Sequence, residues 1–230
     1  MGRMTSYNRP DGKSVSGYLA EPAQATKAPG MVVIQEWWGL NDQIKGVAEK
    51  LASAGYRALV PDLYRGKVAL EPNEAKHLME GLNFGDAAGQ DIRGAVQYLK
   101  KASPKVGVTG FCMGGALTVL SAVNVPEADA EVIWYGYPPL QYVDASKIKT
   151  PLLGHWALHD QAFAISGVDE LEKKLKTANV KFEFHRYDAK HGFANETADT
   201  KKLDMLKYDP KAAEQAWKRT MEFLDRHLKK

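Results

Sequence analysis

The sequence predicts an α/β fold: a mostly parallel sheet with helices on both faces and an N-terminal hairpin. Three observations carry this. Short apolar runs rich in β-branched residues alternate with segments of helical periodicity along most of the chain. Several of those runs, such as Met31 to Ile34, are apolar without alternation, as strands buried on both faces are. No Pro/Gly/Ser-rich linker interrupts the pattern, so residues 1–230 are expected to form one α/β domain.

The elements follow in order. "TSYNRPDGKSVSGYLAEP" alternates on either side of Pro10-Asp11-Gly12 and reads as a hairpin. "MVVIQE" is a buried strand. In "NDQIKGVAEKLASAGY", Ile44, Val47, Ala48, Leu51 and Ala54 recur at helical spacing, and Gly55 ends the helix. "RALVPDL" is the next strand, "EPNEAKHLMEGLN" a short helix and "DAAGQDIRGAVQYLKKA" a longer one. "VGVTGF" leads as a strand into Cys112 and a helix. "EVIWYGYP", "TPLLGHWAL" and "VKFEFHRYD" supply three more strands, with a helix from about Gly167 to Ala178. The last helix begins with Asp209 as N-cap and Pro210 in the first turn, where the missing N–H costs nothing; Trp217, Met221, Leu224 and Leu228 form its buried stripe.

Composition narrows the function classes. The net charge is only +3 and the basic residues are scattered, which argues against a nucleic-acid surface. One cysteine excludes an internal disulfide and any multi-cysteine metal site. His155 and His159 stand four apart, but in a segment that runs from strand to loop, so the spacing does not place them on one helix face; no metal is expected. The chain contains no apolar run long enough to span a bilayer, and "MGRMTSYNRPDGKSVSGYLAEP" lacks the apolar core of a signal peptide. A cytoplasmic protein without a membrane or nucleic-acid partner is the expectation.

The cysteine stands in "GFCMGG", where a strand turns sharply into a helix. This is the glycine-x-nucleophile-x-glycine form of a nucleophile elbow, with Cys112 in the place serine usually holds. Gly110 and Gly114 flank it because side chains there would collide with the neighbouring strand and helix. The helix beginning beside the sulfur favours a thiolate. An elbow nucleophile takes an acid and then a histidine from later in the chain. His191, in the loop after "VKFEFHRY", is in the place for the base; His185 lies within the strand and His227 in the last helical turn. Asp160 closes the preceding strand and is the preferred orienting acid over Asp169, inside a helix, and Asp188, too close in sequence to His191. Glu36 and Arg65 follow two other strands on the same edge, Arg65 suited to grip a carboxylate. Trp37, Trp38, Tyr64, Tyr135, Tyr137 and Phe193 cluster there as candidate pocket aromatics.

"QEWWGLN", "PDLYRGK", "GFCMGG", "LHD" and "HGFA", in this order, resemble the dienelactone hydrolases (carboxymethylenebutenolidases) over nearly the whole chain. The resemblance implies an α/β-hydrolase fold and a Cys112, Asp160, His191 triad. It implies that Glu36 pairs with the resting thiol and accepts its proton when an anionic substrate arrives, and that Met113 and Trp37 backbone N–H groups form the oxyanion hole. Arg65 matches the carboxylate-binding arginine, with Trp38, Tyr64, Tyr135 and Phe193 around the substrate. Asn195 stands where members active on dienelactone carry a second arginine, with Glu196 beside it, which weakens the case for a free carboxylate.

The function expected is therefore a cofactor-independent, monomeric cysteine hydrolase of a small lactone or ester, of dienelactone type, working through a thioester. A general carboxylesterase on neutral esters is the alternative within this class. A redox-sensing or binding protein on a hydrolase scaffold is the alternative outside it.

Overall fold

The computed structural model describes residues 2–229. Eight strands form one sheet: β1 (Arg3–Asn8), β2 (Ser14–Ala20), β3 (Gly30–Ile34), β4 (Arg57–Pro61), β5 (Val106–Phe111), β6 (Ala130–Trp134), β7 (Leu152–Ala157) and β8 (Phe182–Tyr187). Their order is β1-β2-β4-β3-β5-β6-β7-β8. The β1–β2 hairpin is antiparallel and meets β4 antiparallel; every other pairing is parallel. This is the predicted fold class, with the hairpin as one edge.

The helices are α1 (Asp42–Ser53), α2 (Pro72–Glu80), α3 (Phe84–Asp86), α4 (Arg93–Lys100), α5 (Met113–Asn124), α6 (Ile165–Thr177) and α7 (Pro210–Leu228). Continuous apolar strands bury both faces, as β3 illustrates. Met31 and Val33 pack with α1 and α7 residues, including Ile44, Leu51, Trp217 and Leu224. Val32 and Ile34 pack with α4 and α5 through Val96, Leu99 and Leu117. Each such side chain, fully buried, contributes roughly 1.5–3 kcal/mol. α6 completes the second face, with Val168, Leu171 and Leu175 against Ile133, Leu152 and Trp156.

Local signals explain the helix ends. Asn41 caps α1 by accepting from the Ile44 N–H, and Asp209 caps α7 by accepting from the Ala212 N–H. The segment predicted as one helix over 86–102 departs from the periodicity. Ala87–Ile92 between α3 and α4 is a π-helical turn. The wider turn carries the buried Asp91, which faces Arg9 at 3.3 Å and Arg65 at 2.7 Å. Two guanidiniums from outside the segment thus converge on this carboxylate.

A second buried polar network joins β7, β8 and α7. His155 is fully buried, with Nδ1 2.9 Å from the Tyr187 hydroxyl and Nε2 2.9 Å from the Thr220 hydroxyl. Burial, then the nearby His185 and Arg219, holds its imidazole neutral, well below the ordinary 6.5. The unfolded chain takes up a proton below 6.5 and the folded one does not, so stability from this site is present above 6.5 and lost as pH falls. The expected slope is about 1.4 kcal/mol per pH unit. Urea unfolding between pH 7 and pH 5 should show it, and His155→Gln should flatten it; an unchanged slope in that variant would assign the effect elsewhere.

Candidate active site

The carboxyl ends of β3 to β8 meet along one edge, where ligands bind in parallel sheets. Cys112 follows β5 directly and opens α5. Its backbone has φ 55° and ψ −117°, outside the comfortable regions for a residue with a Cβ. The turn is pinned on both sides: the Cys112 N–H donates to the Trp134 carbonyl at 3.0 Å, and the Ala116 N–H donates to the Cys112 carbonyl at 3.1 Å.

The flanking glycines are required by close approach. A Cβ on Gly114 would stand 2.5 Å from the Ile34 carbonyl oxygen and 2.6 Å from that of Gln35, while one on Gly110 would collide with the Gly114 carbonyl. Gly136, which the motif does not include, fills the same role from the β6 side: its missing Cβ makes room for the Cys112 carbonyl. The effect is to press the half-buried cysteine between β3 and β6.

His191 follows β8 and is 2 % exposed. Its Nδ1 lies 2.7 Å from Asp160 Oδ2. An ionised carboxylate only accepts, so Nδ1 carries the proton and Nε2 is left for the sulfur. Burial works to lower the imidazole's affinity for a proton, but the charge of Cys112 and the Asp160 hydrogen bond outweigh it and hold His191 well above the usual histidine range. Asp160 is itself fixed, its Oδ1 accepting from the Ala162 and Phe163 N–H groups at 2.8 Å each. The rival acids are engaged elsewhere: Asp188 pairs with His159 at 2.6 Å and Asp169 with Arg186 at 2.6 Å. His155 and His159 are thus occupied in separate contacts, and no group of acidic, histidine or cysteine side chains suited to a metal occurs among the described residues.

Glu36 is buried at the end of β3. Its Oε2 accepts from Asn195 Nδ2 at 2.8 Å and its Oε1 from the Tyr135 hydroxyl at 3.4 Å. The pairing with the thiol that the resemblance implies is not among its hydrogen bonds. Tyr135 links the site's charged groups: its ring stands edge-on to His191 at 5.2 Å, and both Glu36 and Cys112 act on its hydroxyl.

The pocket candidates divide. The Tyr64 hydroxyl points at the Met113 sulfur, 3.2 Å away, next to Cys112. Trp38 is buried edge-to-face against Trp37, and Phe193 is buried among Tyr135, Tyr187 and Trp134. Tyr137 turns instead toward Trp156 and Phe163. Arg65 does not present a free guanidinium: it pairs with Asp91 and donates to the Asp62 carbonyl at 2.8 Å. It lines a surface hollow of about 260 Å³ together with Lys67 and His77. Met113 opens α5, so its N–H has no partner within the helix.

Sequence reasoning missed three contributors. Phe163 stands 5.6 Å from His191 and donates its N–H to Asp160; an aspartate followed by loop residues was the available signal. Lys201 lies 4.0 Å over the Trp38 ring and acts electrostatically on Glu36. Thr197 fixes Asn195 from behind. The charged stretch from Glu196 to Tyr208 lies against this edge: Leu203 and Leu206 pack on the cluster of Trp38, Ala69 and Ala75, and Leu206 bridges to His191.

The dienelactone hydrolase family model matches residues 15–228. The chain belongs to the dienelactone hydrolase family. It is 36% identical over 239 residues to Protein usf of Aquifex pyrophilus, covering 99% of this chain and all of that one. It is 33% identical over 240 residues, again end to end, to an Aquifex aeolicus protein provisionally named a carboxymethylenebutenolidase. Among solved structures, a dienelactone hydrolase-like promiscuous phosphotriesterase from metagenomic libraries superposes with a TM-score of 0.87 at 22% identity, covering 98% of both chains, which speaks for the fold. The motifs that suggested this family lie along the carboxyl edge of the sheet described above.

The elbow yields a stability prediction. Gly114→Ala should destabilise the protein by more than 3 kcal/mol, because its Cβ meets backbone that cannot swing aside. Gly46→Ala, where a Cβ meets nothing within 4 Å, is the control and should leave the melting temperature unchanged or raised. Equal melting temperatures for the two variants would contradict the packing described.

Proposed function

We propose that this protein is a cysteine-dependent hydrolase of small lactones or esters. The observation that carries the reading is the strained Cys112 turn facing an imidazole already fixed by Asp160. In the reaction, the Cys112 sulfur attacks the substrate carbonyl and the oxygen takes up negative charge. The Met113 and Trp37 N–H groups face that charge as the oxyanion hole. The C–O bond to the leaving oxygen breaks, His191 gives that oxygen its proton, and a thioester remains on the sulfur. Water then adds to the thioester as His191 removes its proton, and the acid product leaves with the thiolate restored. For a lactone, both product groups remain in one molecule. Asp160 keeps the imidazole in the working tautomer throughout.

A second reading, of small neutral esters in place of an anionic lactone, is favoured by one observation: the Arg65 guanidinium is engaged by Asp91 and the Asp62 carbonyl. The residue expected to hold a substrate carboxylate is therefore already paired.

Two outcomes test these readings. Cys112→Ala should lower turnover of an activated aryl ester and of a dienelactone by at least 1,000-fold, with Cys112→Ser retaining weak esterase activity; full activity in Cys112→Ala would remove the cysteine mechanism. Arg65→Ala should leave kcat/KM for a neutral aryl ester within about twofold, because the groups it pairs with, Asp91 and the Asp62 carbonyl, make no hydrogen bond to Cys112, Asp160, His191 or Glu36. If the variant instead loses tenfold or more on an ester bearing a carboxylate, with the neutral ester unaffected, the anionic reading gains over the neutral one.

A further inference from the structure

We propose that Asn195 is the positioning residue for Glu36: its side-chain amide, oriented from behind by Thr197, holds the carboxylate at the end of β3 beside Tyr135 and His191. The inference rests on the cysteine-hydrolase reading only for its kinetic consequence, and its structural part stands apart from it.

The contact spans 159 positions, joins two buried side chains, and is closed on both sides. Asn195 Oδ1 accepts from the Thr197 N–H at 2.9 Å and from the Thr197 hydroxyl at 2.8 Å. With two donors on Oδ1, the amide can present only Nδ2 to Glu36, so its orientation follows from the network. The Asn195 backbone is tied as well, its N–H donating to the Gly192 carbonyl at 2.9 Å, one residue past His191. Asn195 therefore sits at the root of the segment that covers Trp38 and couples that segment to Glu36.

Glu36 is surrounded by few charged or titratable groups. His191 faces it from the loop after β8, Tyr135 from the end of β6, and Lys201 from the segment over Trp38. Cys112 approaches the same place, since it acts on both Tyr135 and His191. Burial raises the carboxyl above its ordinary 4.5, while His191, the Asn195 hydrogen bond, Tyr135 and Lys201 pull it back down. A donor that bonds the ionised form favours that form, so removing the amide should raise the titration midpoint. Because Asn195 is neutral, it orients Glu36 without cancelling its charge, and the carboxyl stays above its ordinary 4.5 despite that hydrogen bond. A cation at position 195 would hold Glu36 ionised to lower pH.

The test reads Glu36 directly. Carboxyl ¹³C NMR titration, with the Glu36 resonance identified by its loss in Glu36→Gln, should give a midpoint about one pH unit higher in Asn195→Ala than in the native protein. With Glu36 taking the thiol's proton, the role the family resemblance implies, the acid limb of the kcat/KM profile should move up with that midpoint in the same variant, and Glu36→Gln should abolish the dependence of the limb on residue 195. Asn195→Asp, close to isosteric, is the second variant should the alanine protein fail to fold; a second carboxylate in place of the donor should raise the midpoint further. An unmoved Glu36 midpoint in the folded variants would overturn the assignment, as would an activity loss that is uniform across pH. A shifted midpoint with turnover that survives Cys112→Ala would retain the Asn195 assignment and refute only the hydrolase mechanism.

Discussion

Backbone exclusion around Cys112 is the constraint on which the rest of the site depends. The residue sits at φ 55° because the chain must leave β5, turn at once and start α5 under the carbonyls of Ile34 and Gln35. Glycines at 110, 114 and 136 give up their side chains to allow it. Such a turn costs of order 1–3 kcal/mol and persists only where packing overdetermines it. Here the packing is α5, buried from Met113 to Ala122, with the Cys112 N–H tied to the Trp134 carbonyl of β6 and the Cys112 carbonyl tied to the Ala116 N–H of α5. The strain is spent on aim: the sulfur is presented at the carboxyl edge of the sheet, where every loop that bears a candidate partner also ends.

Charge organises what that turn presents. Glu36, Asp160 and His191 are all buried at this edge beside the half-buried cysteine. Each is relieved in a different way. Asp160 receives two backbone N–H groups and the imidazole, His191 receives Asp160 and the cysteine, and Glu36 receives one amide and one hydroxyl. Burial holds the Glu36 carboxyl above its ordinary 4.5 even with these donors in place. Asp160 and Glu36 thus occupy contrasting environments within one small site.

Much of this was legible in the sequence, for reasons that are local. The unbroken apolar runs marked parallel strands, the Asp209-Pro210 pair marked the start of α7, and the glycine spacing around Cys112 marked the elbow. The chain order of Cys112, Asp160 and His191 followed from the order in which strands reach the sheet edge. What was not legible depends on side chains meeting across long separations. Nothing near Arg65 announces that Asp91, on a π-helical turn 26 positions away, takes its guanidinium. Nothing near Asn195 announces Glu36, and a residue read as a missing arginine proved to be a donor to that carboxylate. The cover over Trp38 was equally hidden, since Leu203 and Leu206 are only weakly periodic in a charged stretch.

The most direct measurement of the proposed chemistry is mass spectrometry of the protein quenched in acid during turnover of an aryl ester, followed by peptide mapping. The account predicts a single added acyl group, carried on the Cys112 sulfur, that vanishes in Cys112→Ala and accumulates in His191→Gln as deacylation slows. An unmodified Cys112 during Cys112-dependent turnover, or an acyl group on another side chain that persists in Cys112→Ala, would contradict it.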